Sequence, residues 1–191
     1  MADDRPGRLT DLARRAGDCR ACSLREGCRG VVFGEGDPSA RLVLVGEGPG
    51  RLEDEEGRPF VGPAGQLLDR ILAAAGFLRR EVYITNVVMC RPPANRVPQP
   101  DEVAACLPWL RDKLAVIRPR IVLCLGALAA QTLLEPGLSI TRARGRWHER
   151  EGVLFMATFH PAAVLRDPGK KRPVWEDFSQ IRSRYLAVAG D

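Results

Sequence analysis

Residues 41–65 read RLVLVGEGPGRLEDEEGRPFVGPAG, an apolar run followed at once by a loop of glycine, proline and acidic residues. The run RLVLVGE (41–47) has the aliphatic character of a strand that is buried on both faces. A glycine-rich loop after a strand usually predicts phosphate binding, but this loop matches neither the dinucleotide-binding pattern nor the P-loop. Because its acidic residues would also repel a nucleoside triphosphate, we expect the loop to hold a different ligand.

Three further apolar runs of this kind follow along the chain, namely VYITNVV (82–88), IVLCLG (121–126) and VLFMATFH (153–160). Patterns typical of helices lie between and after them, at residues 63–76, 101–118, 127–134 and 174–188. Strands that alternate with helices predict an α/β fold. We expect a three-layer sandwich with a central, mainly parallel four-stranded sheet flanked by helices, formed by residues 1–191 as a single domain.

Chemically distinctive residues follow the predicted strands. In a parallel sheet, ligands bind beyond the carboxyl ends of the strands. The four predicted ends carry Gly46–Glu47, Asn86, Gly126 and His160. The sequence therefore predicts a ligand site at this edge of the sheet.

The residue types at this edge suit a nucleobase. Asn86 carries an amide that both donates and accepts hydrogen bonds, and His160 ends its strand at the mouth of the expected site. Glu47 is either a catalytic carboxylate or a loop cap, and Phe60 is either a core residue or a platform for stacking. An amide that reads a base edge, a ring that stacks and an imidazole that stabilises negative charge form a base-binding pocket. The acidic run 53–56 is interpreted as a solvated surface.

The six cysteines require an explanation other than disulfides. The N-terminal segment is too polar for a secretory signal and no apolar run is long enough to span a membrane, so we expect a soluble, intracellular protein in a reducing compartment. Cys19 and Cys22 form a CxxC motif, and Cys90 and Cys106 flank a proline-rich loop. Four such thiolates are able to bind either zinc or an iron–sulfur cluster, and their spacing does not choose between them. Cysteines without a ligand are the remaining alternative. Cys28 is a further candidate ligand, whereas Cys124, inside an apolar run, is expected to be a buried hydrophobic residue.

The charge of the chain favours a polyanionic partner only mildly. The net charge is +5 and the isoelectric point is about 9.1. Arginine accounts for most of the basic residues and suits bidentate phosphate contacts. Composition alone does not identify the partner.

Six segments of the chain together resemble the family 4 uracil-DNA glycosylases, the iron–sulfur branch of the uracil-DNA glycosylase superfamily. They are CRAC, VGEGPG, EDEEGRPFVGPAGQLL, YITNVVMCRPP, PDEVAAC and FHPAAVLR, and they cover most of residues 19–168. The resemblance implies removal of uracil from single- or double-stranded DNA as the first step of base excision repair. It also implies a [4Fe–4S] cluster on an N-terminal cluster-binding segment and a distant pair of cysteines, with Cys19, Cys22, Cys90 and Cys106 as ligands and Cys28 and Cys124 outside the set.

The resemblance also implies roles for individual residues. Phe60 would stack on the flipped uracil, Asn86 would read its N3/O4 edge, and His160 would lie against O2. Glu47 would activate water or stabilise the sugar cation. Further contacts to the nucleotide are expected from Gly46, Gly48, Pro49 and Gly50, and contacts to DNA from Gly62, Pro63, Val164, Leu165 and Arg166, with Leu165 or Val164 wedged into the gap and Arg166 near phosphate.

Two features qualify this prediction. The loop RPPANRVPQPDE (91–102) has no histidine, so covalent trapping of uracil, which a relative of this branch performs, is not expected. Gly48 stands where other members of the superfamily use Asp or Asn, which leaves the identity of the catalytic base open.

Two other functions remain alternatives, namely a non-catalytic iron–sulfur nucleic-acid-binding protein of the same fold, and a phosphoesterase or nucleotide hydrolase that uses carboxylates of the run 53–56. We further expect a monomer in the cytoplasm of a bacterium or archaeon, with no membrane association. A sliding clamp is a conceivable partner that the sequence does not specify.

Overall fold

The computed structural model of the chain describes residues 4–188. The helices are α1 (Arg5–Gly17), α2 (Leu24–Gly27), α3 (Arg51–Glu56), α4 (Pro63–Ala74), α5 (Pro100–Ile117), α6 (Ala127–Leu133), α7 (Ile140–Ala143), α8 (Pro161–Arg166) and α9 (Lys171–Ala187). The strands are β1 (Glu35–Gly36), β2 (Leu42–Gly46), β3 (Tyr83–Asn86), β4 (Ile121–Leu125), β5 (Trp147–Arg150) and β6 (Val153–Thr158). Short 3₁₀ turns lie at Arg79–Glu81, Pro93–Asn95 and Pro168–Lys170.

Within these residues the strands form one sheet in the order β1-β3-β2-β4-β6-β5. The four central strands are parallel, which confirms the predicted α/β fold with helices on both faces. The sheet has six strands rather than four, because β1 and β5 add short antiparallel edges. Their sequences, Glu35–Gly36 and WHER, are too short or too polar to signal a buried strand.

Burial of both faces of the sheet explains why the central strands are continuously apolar. Along β2, Leu42 and Leu44 pack into one hydrophobic cluster with α4 and α9, whereas Val43 and Val45 pack into another with α1 and α5. Successive side chains of a strand point to opposite faces, so every position of β2 must be apolar. The helix layers thus follow directly from the sequence of the strands.

Register places the functional ends of the strands together. Gly46 pairs with Asn86 across β2 and β3, and Leu125 pairs with Thr158 across β4 and β6. Gly126, at a φ of +96°, lets the chain turn beside His160, and a Cβ built on it would lie 3.1 Å from the Cβ of His160. The predicted cluster of strand ends is therefore a single edge of the sheet.

A buried polar network fixes the end of β6 to α9. Thr158 Oγ1 donates to Asp177 Oδ2 at 2.5 Å, and Arg144 donates to the same carboxylate at 3.0 and 2.6 Å. Asp177 is fully buried, and these hydrogen bonds pair its carboxylate. A buried charge is tolerated where it is paired in this way. Since Thr158 stands two residues before His160, this network holds the segment that carries the histidine.

Among the helices of residues 4–188, none combines the length and the apolar character needed to cross a bilayer.

Candidate active site

A pocket of about 490 Å³ opens at the carboxyl edge of the sheet, within the usual size range of small-ligand sites. It brings together side chains from loops that are far apart in sequence. Its lining includes the predicted site residues Glu47, Gly48, Pro49, Gly50, Phe60, Gly62, Pro63, Asn86, His160 and Arg166. Gly46, Val164 and Leu165 are not part of the lining.

Phe60 forms one wall of the pocket and stacks on His160, with ring centroids 5.5 Å apart and an interplanar angle of 30°. Its backbone lies in the left-handed region at a φ of +53°, which is uncommon for a residue other than glycine. Gly46 lies behind this wall: a Cβ built there would stand 2.6 Å from the Phe60 ring and 2.4 Å from Asn86 Oδ1. Gly46 thus leaves space for the two side chains in front of it, and its contact with substrate stays a prediction.

Asn86 lines the pocket and carries a buried acceptor that is unpaired among residues 4–188. The residue is only 2% exposed, and its Oδ1 has no hydrogen-bond partner among the described residues. Buried acceptors are rarely left unsatisfied, because each unmade bond costs on the order of 1–3 kcal/mol. A ligand with an N–H group would satisfy this oxygen.

His160 is held as a neutral ring with a defined tautomer. The Ala162 N–H donates to His160 Nδ1 at 3.1 Å, so the ring nitrogen that carries the proton is Nε2. Burial, the largest cause, and the guanidinium of Arg166 together lower the pKa of His160 to about 4, against a smaller opposing effect of Glu53. At neutral pH the imidazole is therefore an uncharged donor.

Glu47 and Arg166 make the pocket electrostatically asymmetric. Burial raises the pKa of the Glu47 carboxyl, and the nearby Arg166 partly offsets that rise. A carboxylate that is poorly solvated opposes positive charge more strongly than one in water. Glu47 is thus suited to a reaction in which a cation develops next to it.

The interpretation of the acidic run 53–56 as a solvated surface is wrong for its first two members. Asp54 is buried, and its Oδ1 accepts from the Arg29 N–H at 2.9 Å. Glu53 is part of the pocket lining and accepts from three backbone amides of the surrounding loops. Only Glu55 and Glu56 are exposed, as expected of the outer side of a short helix.

The predicted DNA contacts on α8 divide by burial. Val164 is 2% exposed and packs into the core with α4 and α9, so its prediction as a wedge in DNA is wrong. Leu165 is 47% exposed and directly precedes Arg166, which lines the pocket. Since adjacent helical positions face different directions, Leu165 is the one of these two apolar side chains that is available to a macromolecular partner.

The proline-rich loop borders the pocket in a fixed conformation. Arg91 Nε donates to Asn95 Oδ1 at 2.8 Å, and Arg96 binds the carboxylate of buried Glu102 through two hydrogen bonds of 2.8 and 2.6 Å. Both Asn95 and Arg96 line the pocket. These two arginine contacts restrain the loop in addition to its prolines.

The four cysteines predicted as ligands line a second, smaller cavity, which is otherwise mostly apolar. Burial raises the pKa of Cys90 and of Cys106, so their thiolates need a neighbouring cation to form. In residues 4–188, no three His, Cys, Asp or Glu side chains converge as ligands of one metal ion. Cys28 does not line this cavity, and Cys124 is buried inside β4 as expected.

Sequence reasoning did not identify Lys113. It is completely buried, and its Nζ donates to the Phe33 carbonyl at 2.6 Å and to Thr85 Oγ1 at 2.9 Å. Burial lowers its pKa to about 7. A lysine within a helical pattern ordinarily indicates an exposed face, so the sequence gives no sign that Lys113 is buried. Through its bond to Thr85, Lys113 supports the strand directly before Asn86.

Comparison with known proteins agrees with this geometry. The family model described as uracil DNA glycosylase superfamily matches residues 33–179. The chain is 43% identical to the type-4 uracil-DNA glycosylase of Archaeoglobus fulgidus, over 91% of each chain. It is also 43% identical to the type-4 enzyme of Thermotoga maritima, over 90% of this chain and 92% of that one. A type-5 uracil-DNA glycosylase of Pyrobaculum aerophilum is 34% identical over 81% of this chain and 75% of its own length.

Proposed function

The chain belongs to the uracil DNA glycosylase superfamily, and from that membership we propose that it is a DNA repair glycosylase. It flips uracil out of DNA and hydrolyses the N-glycosidic bond, which leaves an abasic site for base excision repair. Extrusion of the base costs a few kcal/mol and costs least where the base is mispaired.

The observation that carries this proposal is the unpaired Asn86 Oδ1 in a pocket walled by Phe60. Uracil offers a donor at N3 and a flat ring, and the pocket offers the matching acceptor and a surface for stacking. With N3–H bound to Asn86, the base would satisfy a buried oxygen that has no partner among the described residues 4–188.

The reaction generates charge at both ends of the bond that breaks. The departing uracil gains negative charge, which the Nε2–H of His160 stabilises at O2 as a preorganised donor. The sugar gains cationic character, which the Glu47 carboxylate opposes while it orients the attacking water. Burial acts on both groups. It lowers the pKa of His160, which keeps the imidazole neutral, and it raises the pKa of Glu47 because the carboxylate is poorly solvated.

DNA would be held by the rim of the pocket. Arg166 suits a phosphate contact, and exposed Leu165 suits the space that the flipped base vacates. Because arginine–phosphate contacts release counterions, binding should weaken as salt increases.

Uracil-containing oligonucleotides, with and without an opposing guanine, provide the test of the activity. After incubation with the protein, alkali should cleave the strand at the position of uracil. A protein that binds these oligonucleotides but leaves no alkali-labile site would instead be the non-catalytic nucleic-acid-binding alternative.

Replacement of Asn86 by alanine should reduce kcat/KM for uracil release by roughly 5- to 150-fold. The reason is that the buried N3–H would lose its acceptor, at a cost of about 1–3 kcal/mol. Single-turnover kinetics on a uracil oligonucleotide measures the effect. The melting temperature should change little, since Oδ1 has no partner to lose in the part of the chain that the structure describes, and near-normal uracil release would contradict the assignment.

The second cavity is proposed to hold a [4Fe–4S] cluster on Cys19, Cys22, Cys90 and Cys106. The donor set fits, because four thiols from two distant segments surround one cavity, and four cysteines are the usual ligands of such a cluster. Each cysteine would hold a separate iron of such a cluster, so the thiols need not converge on one ion. When bound, the cluster supplies a cross-link between the N-terminal segment and α5, with no redox step in base removal.

Anaerobically purified protein should contain about four iron and four sulfide per chain. Cys90→Ala should lose iron and melt at a lower temperature, because the cross-link contributes to folding. Cys124→Ala is the matched control and should keep its iron, since Cys124 does not line the cavity. A colourless wild-type protein that carries zinc would overturn the cluster.

We also propose that the protein is a monomer located in the cytoplasm. Gel filtration at concentrations used for activity assays checks the monomer.

A further inference from the structure

Helix α3 places one carboxylate between two loops of the pocket. Glu53 Oε1 accepts from the Val61 N–H at 2.9 Å and from the Gly62 N–H at 2.8 Å. Its Oε2 accepts from the Gly50 N–H at 3.1 Å. The single side chain therefore joins the loop that follows β2 to the loop that precedes α4.

This arrangement accounts for the resemblance of the loop to a phosphate-binding motif. Several backbone amides that point to one place are a common site for an anion. Here the anion is the Glu53 side chain of the protein itself. The loops pack closely around it, since a Cβ built on Gly50 would stand 2.7 Å from Glu53 Oε2, and one on Gly62 would stand 3.2 Å from Oε1. The amides are thus occupied, and the loop serves to build the pocket rather than to bind phosphate.

The bonds of Glu53 act on the residues next to Phe60. Phe60 has a left-handed backbone, a conformation that persists only where surrounding contacts impose it. On its far side, a Cβ on Gly65 would lie 1.8 Å from the Phe60 carbonyl oxygen, so the first turn of α4 already packs tightly against it. The amides of Val61 and Gly62, directly after Phe60, are fixed by Glu53.

We propose that Glu53 is a positioning residue that holds the Phe60 ring in its stacking position by clamping the two glycine-containing loops together. This inference rests on the proposed function, because Phe60 is the surface on which the flipped base stacks. Glu53 acts through backbone amides and needs no contact with the reacting atoms.

Glu53→Gln tests the clamp with little change in volume. A glutamine amide offers one acceptor oxygen, and its NH₂ group would face an N–H donor, so one of the two loops would be released. Uracil release under single-turnover conditions should slow by up to about 100-fold, as misplacement of groups near a reacting centre commonly does. Glu56→Gln, on the exposed side of the same helix, should behave as wild type.

A double-mutant cycle with Phe60→Leu separates positioning of the ring from a general loss of stability. Leucine keeps the site apolar but removes the stacking ring. If Glu53 acts through Phe60, Glu53→Gln should cost much less in the Phe60→Leu background than in wild type. Fully additive costs, or a Glu53→Gln variant with wild-type rates, would overturn the inference.

Amide hydrogen exchange supplies a readout that does not depend on activity. Exchange should accelerate in Glu53→Gln either at Gly50 or at Val61 and Gly62, according to which loop loses its acceptor, and should remain unchanged in Glu56→Gln. Unchanged exchange at all three amides in Glu53→Gln would refute the clamp even in an active enzyme. Absence of abasic sites with wild-type protein, together with accelerated exchange in the variant, would refute the proposed function and leave the clamp intact.

Discussion

Glu47→Gln is expected to lower kcat for uracil release by about 10²–10⁴-fold, the range found when a positioned acid–base group is removed. Glutamine keeps the size of the side chain but cannot oppose the sugar cation with a negative charge or accept a proton from water. Because Glu47 is partly buried, little solvent screening reduces this loss. Single-turnover rates on a uracil oligonucleotide measure it.

The pH profile distinguishes a chemical role of Glu47 from a structural one. Burial raises the pKa of Glu47, so its active carboxylate form is lost at a higher pH than for an ordinary glutamate as the solution is acidified. Wild-type kcat should therefore fall on the acid side with a midpoint above 4.5, the usual glutamate value, and the variant should lack this fall. Glu56→Gln is the matched control. If Glu47→Gln kept the fall in kcat that the wild type shows at acid pH, Glu47 would have no chemical role in catalysis.

Removal of the imidazole in His160→Ala is expected to slow uracil release by about 10²–10³-fold. This is the usual effect of deleting one preorganised donor to a developing anion. His148→Ala is the control, since the only other histidine of the chain lies on the edge strand β5, outside the pocket. The rates of both variants are compared under single-turnover conditions.

His160 also caps α8 by accepting from Ala162, so alanine removes a structural contact as well. His160→Asn separates the two roles, because asparagine is a good helix cap but lacks the Nε2–H donor. We expect this variant to melt close to wild type and to remain slow. Since the pKa of His160 is about 4, the rate should show no titration near 6.5, the ordinary histidine value. A rate that falls as the pH rises through that value, with the fall lost in His160→Asn, would show that the ring acts in its charged form.

The chain pattern predicts the fold and the edge of the site for a clear physical reason. Strands buried on both faces are continuously apolar, so their ends are visible in sequence, and parallel pairing brings those ends together. The positions of Asn86 and His160 follow from this argument. The burial of Val164 in place of Leu165 does not, since two neighbouring apolar residues on a short helix give no indication of which one faces the core.

Long-range polar contacts are the part that sequence does not reveal. Glu53 looks like one member of an acidic run, and its distinction from Glu56 depends on loops that meet only in the folded chain. Lys113 likewise follows charged residues within its helix, and only the packing of α5 on the sheet shows that Lys113 is buried. Patterns of hydrophobicity record burial of apolar surface and carry little information about which buried polar groups find partners.

The contact of Asp177 with Thr158 and Arg144 has a consequence for protein synthesis. Asp177 lies on α9, which follows all four parallel strands in the chain, so a nascent polypeptide completes these strands before it contains the group that secures the histidine-bearing segment. The glycosylase would then stay incompetent until α9 has been synthesised and docks on the sheet. A stalled or prematurely terminated chain that ends before this aspartate would have the sheet but not the ordered catalytic edge.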